Sequence, residues 1–107
     1  MDENKLVSVI MSVYNDANRV KKSIESILNQ SYSNIELLIM DDGSTDNTFE
    51  ICKNYQNENN VKIFKNNKNI GLTKSLNILI KESSGYYIAR QDSDDTSHIE
   101  RFQKQIS

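Results

Sequence analysis

The alternation of apolar and polar positions changes period repeatedly along the chain. Val7-Ser8-Val9-Ile10-Met11-Ser12-Val13 is a short run rich in β-branched residues, and the turn-forming cluster Asn15-Asp16-Ala17-Asn18 follows it. This predicts a strand that feeds a loop. Val20, Ile24, Ile27 and Leu28 then recur at i, i+4, i+7 and i+8, which is one face of a helix. A second apolar run, Ile35 to Met40 interrupted by Glu36, ends in Asp41-Asp42-Gly43-Ser44-Thr45-Asp46, a segment of turn formers and helix caps. Phe49, Cys52 and Tyr55 are spaced as the inner face of a second helix, and Val61-Lys62-Ile63-Phe64 alternates weakly as a third strand. Leu72, Leu76, Leu79 and Ile80 mark a third helix after Gly71. Tyr86-Tyr87-Ile88-Ala89 predicts a fourth strand that runs into Arg90-Gln91-Asp92-Ser93-Asp94-Asp95. Ser97-His98-Ile99-Glu100 has the spacing of a capping box and opens a last helix.

Strands separated by helical crossovers cannot pair as hairpins. The order βαβαβαβα therefore predicts an α/β fold, a Rossmann-like, mostly parallel sheet with helices on both faces. With 107 residues, 36% of them hydrophobic and 26% charged, the chain is sized for one globular domain over residues 1–107. A net charge of -2 leaves no basic surplus to neutralise a long run of phosphates, which excludes extended nucleic acid as a partner. Cys52 has no second cysteine to pair with, and Met1-Asp2-Glu3-Asn4-Lys5 lacks the basic and apolar regions of a secretory signal, so a reducing, cytoplasmic setting is expected. The apolar runs fall far short of the roughly 20 residues that span a bilayer. No transmembrane segment is expected, and a peripheral position at the inner membrane face stays open.

In open parallel sheets, ligands bind in the crevice beyond the carboxyl ends of the strands. The residues placed there are Ser12, Tyr14 and Asn15 from the first strand, Asp41 and Asp42 from the second, and Asp92, Ser93, Asp94 and Asp95 from the fourth. Carboxylates gathered at one edge repel each other unless water or a cation compensates them, and a divalent metal is the simplest compensation. Only Gly43, Gly71 and Gly85 are present, so the chain carries neither G-x-G-x-x-G nor the G-x-x-x-x-G-K-[ST] phosphate cradle. A phosphate-bearing ligand would then be met by a metal held on acids, and Asp92-Ser93-Asp94 has the hard-oxygen character that suits Mg or Mn.

Plainer roles stand beside these. Asp41 and Asp42 suit a turn and an N-cap, Asp94 and Asp95 suit the start of the last helix, and Tyr14 suits a strand end. His98 in a first helical turn reads as solvated, Cys52 as a small core residue, and Lys74 and Arg90 as surface bases.

Four segments, taken in order, resemble the N-terminal half of a family 2 glycosyltransferase with the GT-A fold. They are Val7 to Asn15; Asn29-Gln30-Ser31-Tyr32; Glu36 to Thr48, which contains Asp41-Asp42-Gly43-Ser44; and Asp92-Ser93-Asp94-Asp95. Asn69-Ile70-Gly71-Leu72 is a weaker fifth. The resemblance implies a site for a nucleotide-sugar donor. Tyr14 would lie against the base, Asp42 would accept a ring N–H, Ser12 would line the same pocket, and Asn15 would sit beside it. Asp92 and Asp94 match the D-x-D motif, with Asp94 the more direct ligand of a divalent Mn or Mg and Asp92 or Ser93 nearer the ribose. Stacking of a base on an aromatic ring is worth about 1–3 kcal/mol, and a hydrogen bond to a charged acceptor about 1.5–3 kcal/mol. A carboxylate acceptor serves uracil, thymine and guanine, so a UDP-sugar is preferred only because the family prefers it.

The resemblance further implies transfer to an acceptor hydroxyl, saccharide or lipid-linked, with inversion at the anomeric carbon, in the building of a polysaccharide or glycolipid. Departures are Ser12 and Ile99, where family members often carry proline. Length is another. The acceptor pocket and general base are expected beyond residue 107, so the chain is expected to be a donor-binding half with little or no activity of its own. Two other readings compete. One is a receiver domain, which would gather acids after its first strand and place a phosphorylated Asp after its third. The other is a non-catalytic binding or assembly module, associating as a homo-oligomer through an exposed sheet edge.

Overall fold

The computed structural model describes residues 5–106; the first four residues, read above for a leader signal, lie outside the described residues. The chain forms β1 (Val7–Val13), α1 (Val20–Leu28), β2 (Ile35–Asp41), α2 (Thr48–Lys53), β3 (Val61–Lys65), α3 (Leu72–Glu82), β4 (Tyr87–Arg90) and α4 (Arg101–Ile106). All strand pairs are parallel, and the sheet order is β3-β2-β1-β4. This is the α/β architecture that the periodicity predicts. It departs from the order 2-1-3-4-5 of receiver-type folds, because β1 here lies between β2 and β4.

Alternation along the strands divides the core. Val7, Val9, Met11 and Val13 of β1, with Leu37 and Ile39 of β2, face one side and pack with Ile24 and Ile27 of α1, Cys52 of α2 and Phe102 of α4. Ile10, Leu38 and Met40 face the other side and pack with Leu79 of α3. The chain steps from β1 to β2 to β3 in one direction and then returns across the sheet to β4. Because parallel crossovers are right-handed, reversing direction sends the connecting helix to the opposite face, which is where α3 lies.

Three local differences from the sequence reading have physical causes. The inner face of α3 is Ser75 and Leu79 with Leu76 partly buried, while Leu72 and Ile80 are exposed. The rotation brings the Ser75 hydroxyl to the Asn66 side-chain amide at 3.1 Å. The last helix begins at Arg101, and the capping box does not close: the Ser97 hydroxyl donates to Gln91 Oε1 at 2.7 Å, and the Glu100 N–H donates to His98 Nδ1 at 3.1 Å. A buried tertiary acceptor has won the hydroxyl that a local cap would have used. Finally, β4 starts at Tyr87, and Tyr86 and Ile88 are exposed, because they lie toward the α3 side of an edge strand while α3 covers β1 and β2.

Candidate functional site

A parallel sheet places every strand's carboxyl end at one edge, and the order β3-β2-β1-β4 reverses direction between β1 and β4. That reversal splays the loops apart and opens a crevice at this point. The loops after β1 and β4 border it, with the loops after β2 and β3 beside them.

Asp42 continues the alternation of Leu38 and Met40, which puts its side chain on the α3 side. Its N–H donates to Val13 O at 2.8 Å. Oδ1 accepts from Asn66 Nδ2 and from the Ile70 N–H, both at 2.9 Å, and Oδ2 accepts from the Gly71 N–H at 3.0 Å. Burial by itself pushes this carboxyl up, but the donors from Ile70, Asn66, Gly71 and Ser75 together outweigh it and hold Asp42 below the usual carboxylate range. Gly43, with φ +77°, lets the following turn press on the same loop; a Cβ there would meet the Lys68 carbonyl carbon at 2.5 Å. Asp41 points to the opposite face. Its Oδ2 accepts from the Ser44 N–H at 3.2 Å, while its buried Oδ1 has no hydrogen-bond partner. Burial and the Asp41 charge push the Cys52 thiol up to about 12, which makes it the inert core residue the sequence predicts.

Ser12, near the end of β1, is half-buried, and Tyr14, in the loop that follows, is 46% exposed. Asn15 adopts φ 48°, a left-handed conformation that asparagine tolerates. Its Oδ1 accepts from the Thr45 N–H at 2.8 Å, and its own N–H donates to Ser44 Oγ at 2.9 Å, which ties the β1 and β2 loops together. Asp16, which the sequence reading treats only as part of a loop, is buried at the base of the crevice. It accepts from the Ser93 hydroxyl at 2.7 Å and from Arg19 Nε at 2.8 Å.

Asp92, Asp94 and Asp95 are exposed, and each offers a carboxylate oxygen within 4.8 Å of the others. Arg90 Nε lies 3.0 Å from Asp92 and Arg19 Nη1 lies 3.8 Å from Asp94. Three clustered carboxylates supply the hard oxygen donors that Mg or Mn takes, so the chemistry of the residues present fits a divalent cation. The loop is held from beneath by Gln91, which is buried. Its Nε2 donates to Ser23 Oγ at 3.1 Å and Asp95 O at 2.9 Å, and its Oε1 accepts from Ser97 and Arg101. The Ser23 hydroxyl in turn donates to Asp92 O at 3.0 Å. His98, beside the acids, accepts the Glu100 N–H at Nδ1.

The fold thus brings the loop of Asp92, Ser93, Asp94 and Asp95 against Asp16 and Arg19, and turns Asp42 toward the loop after β3. Asp16, Arg19, Asn66 and Gln91 escape a reading of spacing. Of these, only Asp16 carries a signal, since it is an acid in the loop directly after the central strand.

The comparisons with known proteins agree with this architecture. The family model for glycosyl transferase family 2 matches residues 8–107. The putative glycosyltransferase EpsE of Bacillus subtilis is 45% identical over 109 residues, a match that covers 100% of this chain and 39% of that protein. The S. aureus TarS structure in complex with UDP-GlcNAc superposes with a TM-score of 0.88 at 29% identity, over 94% of this chain and 30% of that one. The Pyrobaculum calidifontis mannosyltransferase PcManGT, in complex with GDP-Man and Mn2+, shares the fold with a TM-score of 0.81 at 22% identity, over 89% of this chain and 30% of that one. The chain therefore spans about two fifths of EpsE and belongs to glycosyl transferase family 2.

Proposed function

We propose that this chain binds a nucleoside diphosphate sugar, a UDP-sugar in the first place, and serves its transfer to an acceptor hydroxyl with inversion. The observation that carries this is the carboxylate group of Asp92, Asp94 and Asp95 at the switch point beside the Tyr14 loop. Family membership and the UDP-GlcNAc bound to TarS support the choice of donor. Tyr14, with its exposed ring, stacks on the base, while Ser12 and Asn15 line the same side. Asp42 offers a ring N–H the one lone pair of Oδ2 that Gly71 leaves open, and it also holds the 66–71 loop in place. Asp94 and Asp92 hold the cation, with Ser93 and Asp92 toward the ribose. A divalent cation, when bound, supplies the charge that stabilises the leaving diphosphate. No residue of the chain is assigned as general base; the chain acts as the donor-binding part, and the acceptor pocket is left to further sequence such as the longer relatives have.

Calorimetric titration with uridine, guanosine and thymidine diphosphates, with and without Mn2+, tests the reading. Uridine diphosphate is expected to bind most tightly and to need Mn2+, with binding lost on chelation and in Asp94→Ala. Binding indifferent to both removes the cation from the reading, and equal affinity for guanosine diphosphate removes the uridine preference.

A further inference from the structure

We propose that Asp16 is the positioning residue of the acidic loop, holding Ser93 directly and Asp94 through Arg19 in the arrangement a divalent cation needs. This rests on the proposed function, of which it deepens the cation part.

Asp16 is anchored on every side. Its N–H donates to Thr48 Oγ1 at 2.9 Å, and its carbonyl accepts the N–H groups of Arg19 and Val20 that open α1. Its side chain, 9% exposed, accepts from Arg19 Nε at Oδ1 (2.8 Å) and from the Ser93 hydroxyl at Oδ2 (2.7 Å). Each oxygen thus ties Asp16 to a neighbour of the acidic triplet, which is the geometry of a residue that orients the loop.

The residues it reaches are the exposed part of the arrangement. Asp92, Asp94 and Asp95 are exposed carboxylates that repel one another, and the Asp95 N–H bond to Asp92 O at 3.1 Å ties their backbone without orienting the Asp94 side chain. Ser93 lies between the two D-x-D acids, so pinning its hydroxyl fixes the backbone from which both side chains spring. Arg19, bound to Asp16 through Nε, extends Nη1 to 3.8 Å from Asp94 Oδ2 and reduces the repulsion at that acid. A buried carboxylate in the loop after β1 thereby ties the exposed acidic loop to the sheet. Groups that orient metal ligands from outside the coordination shell commonly change affinity by about 10–100-fold.

The test measures Mn2+ affinity of the 107-residue chain from the loss of the free-Mn2+ paramagnetic resonance signal, in wild type, Ser93→Ala, Asp16→Ala, Asp16→Asn and the Asp16→Ala/Ser93→Ala double variant. Ser93→Ala is expected to raise the Mn2+ dissociation constant about tenfold with the urea midpoint unmoved. Asp16→Ala should raise it further, and the double variant no further than Asp16→Ala alone, because the Asp16–Ser93 bond is already gone. Asp16→Asn keeps an oxygen for Ser93 and should recover part of the affinity. The inference is overturned if wild type binds Mn2+ and Ser93→Ala binds it equally well, or if the two losses simply add. A wild-type chain that takes no Mn2+ overturns the cation reading of the function together with this inference. Should Asp16→Ala fail to fold, Ser93→Ala and Asp16→Asn decide the matter alone.

Discussion

Asp42 and Asp94 both follow a strand at the same edge of the sheet, yet the molecule treats them in opposite ways. Asp42 is 2% exposed and has both oxygens bonded by donors from the 66–71 loop; the Asp94 side chain is 49% exposed and, among the described residues, is met by a long contact from Arg19. The difference teaches that acids in one crevice differ in how much of their hydrogen-bonding capacity the fold itself consumes. A carboxylate that takes two backbone N–H groups and the Asn66 amide builds the wall of the crevice, even where it keeps a lone pair for a ligand. One that shares open space with two other carboxylates stays available for a ligand.

The comparison can be broken most directly at Asp42. Asp42→Ala leaves the Asn66 amide and the N–H groups of Ile70 and Gly71 without an acceptor, and the expected loss of stability is about 2–4 kcal/mol, read as a lower urea midpoint. An unchanged midpoint would mean that the loop finds other partners and that Asp42 is not a wall residue.

Acid should act next, through the same closed class of carboxylate. Glu36 is also buried; burial pushes it up, but the Ser8 hydroxyl, the Ser84 N–H and Lys62 together hold it below its ordinary value, as the loop donors do for Asp42. Both groups have a lower pKa folded than unfolded, so their stabilisation is complete above about pH 4–5 and is lost as pH falls below that range. Urea midpoints should therefore be insensitive to these two groups between pH 7 and 5 and fall in more acid solution. Asp42→Asn should flatten that acid limb. A wild-type midpoint that rises on acidification would contradict the sign.

The smallest effect on stability is expected at the open acid. Asp94→Ala should change stability, read from the urea midpoint, by about 0.5 kcal/mol or less, since exposed substitutions rarely do more. A large loss of stability there would erase the distinction between the two acids.

The strands were legible because β1 and β2 are nearly continuous apolar runs, as buried parallel strands must be. The helices α1 and α3 were legible from period, although Leu72 and Ile80 misled the reading of α3, because an apolar residue off the inner face looks the same in a sequence as one on it. The D-x-D segment could be read because its acids are adjacent in the chain. Gln91 could not, because part of its role comes from Ser23, 68 residues away, and the reach of Asp16 to the acidic loop comes from Ser93, 77 residues away.

By itself, then, the sequence determined the alternation of strands and helices, the family, and the small set of acids that end at the sheet's carboxyl edge. Hydrophobic period and local motif are properties of neighbouring residues, and they survive in a linear string. Only the tertiary structure decided that Asp42 closes on the 66–71 loop, that Ser97 serves Gln91 instead of a helix cap, and that Asp16 reaches the acidic loop. Each of those assignments is a competition among partners for one hydrogen bond. The winner is set by which groups the packed sheet brings within about 3 Å of each other.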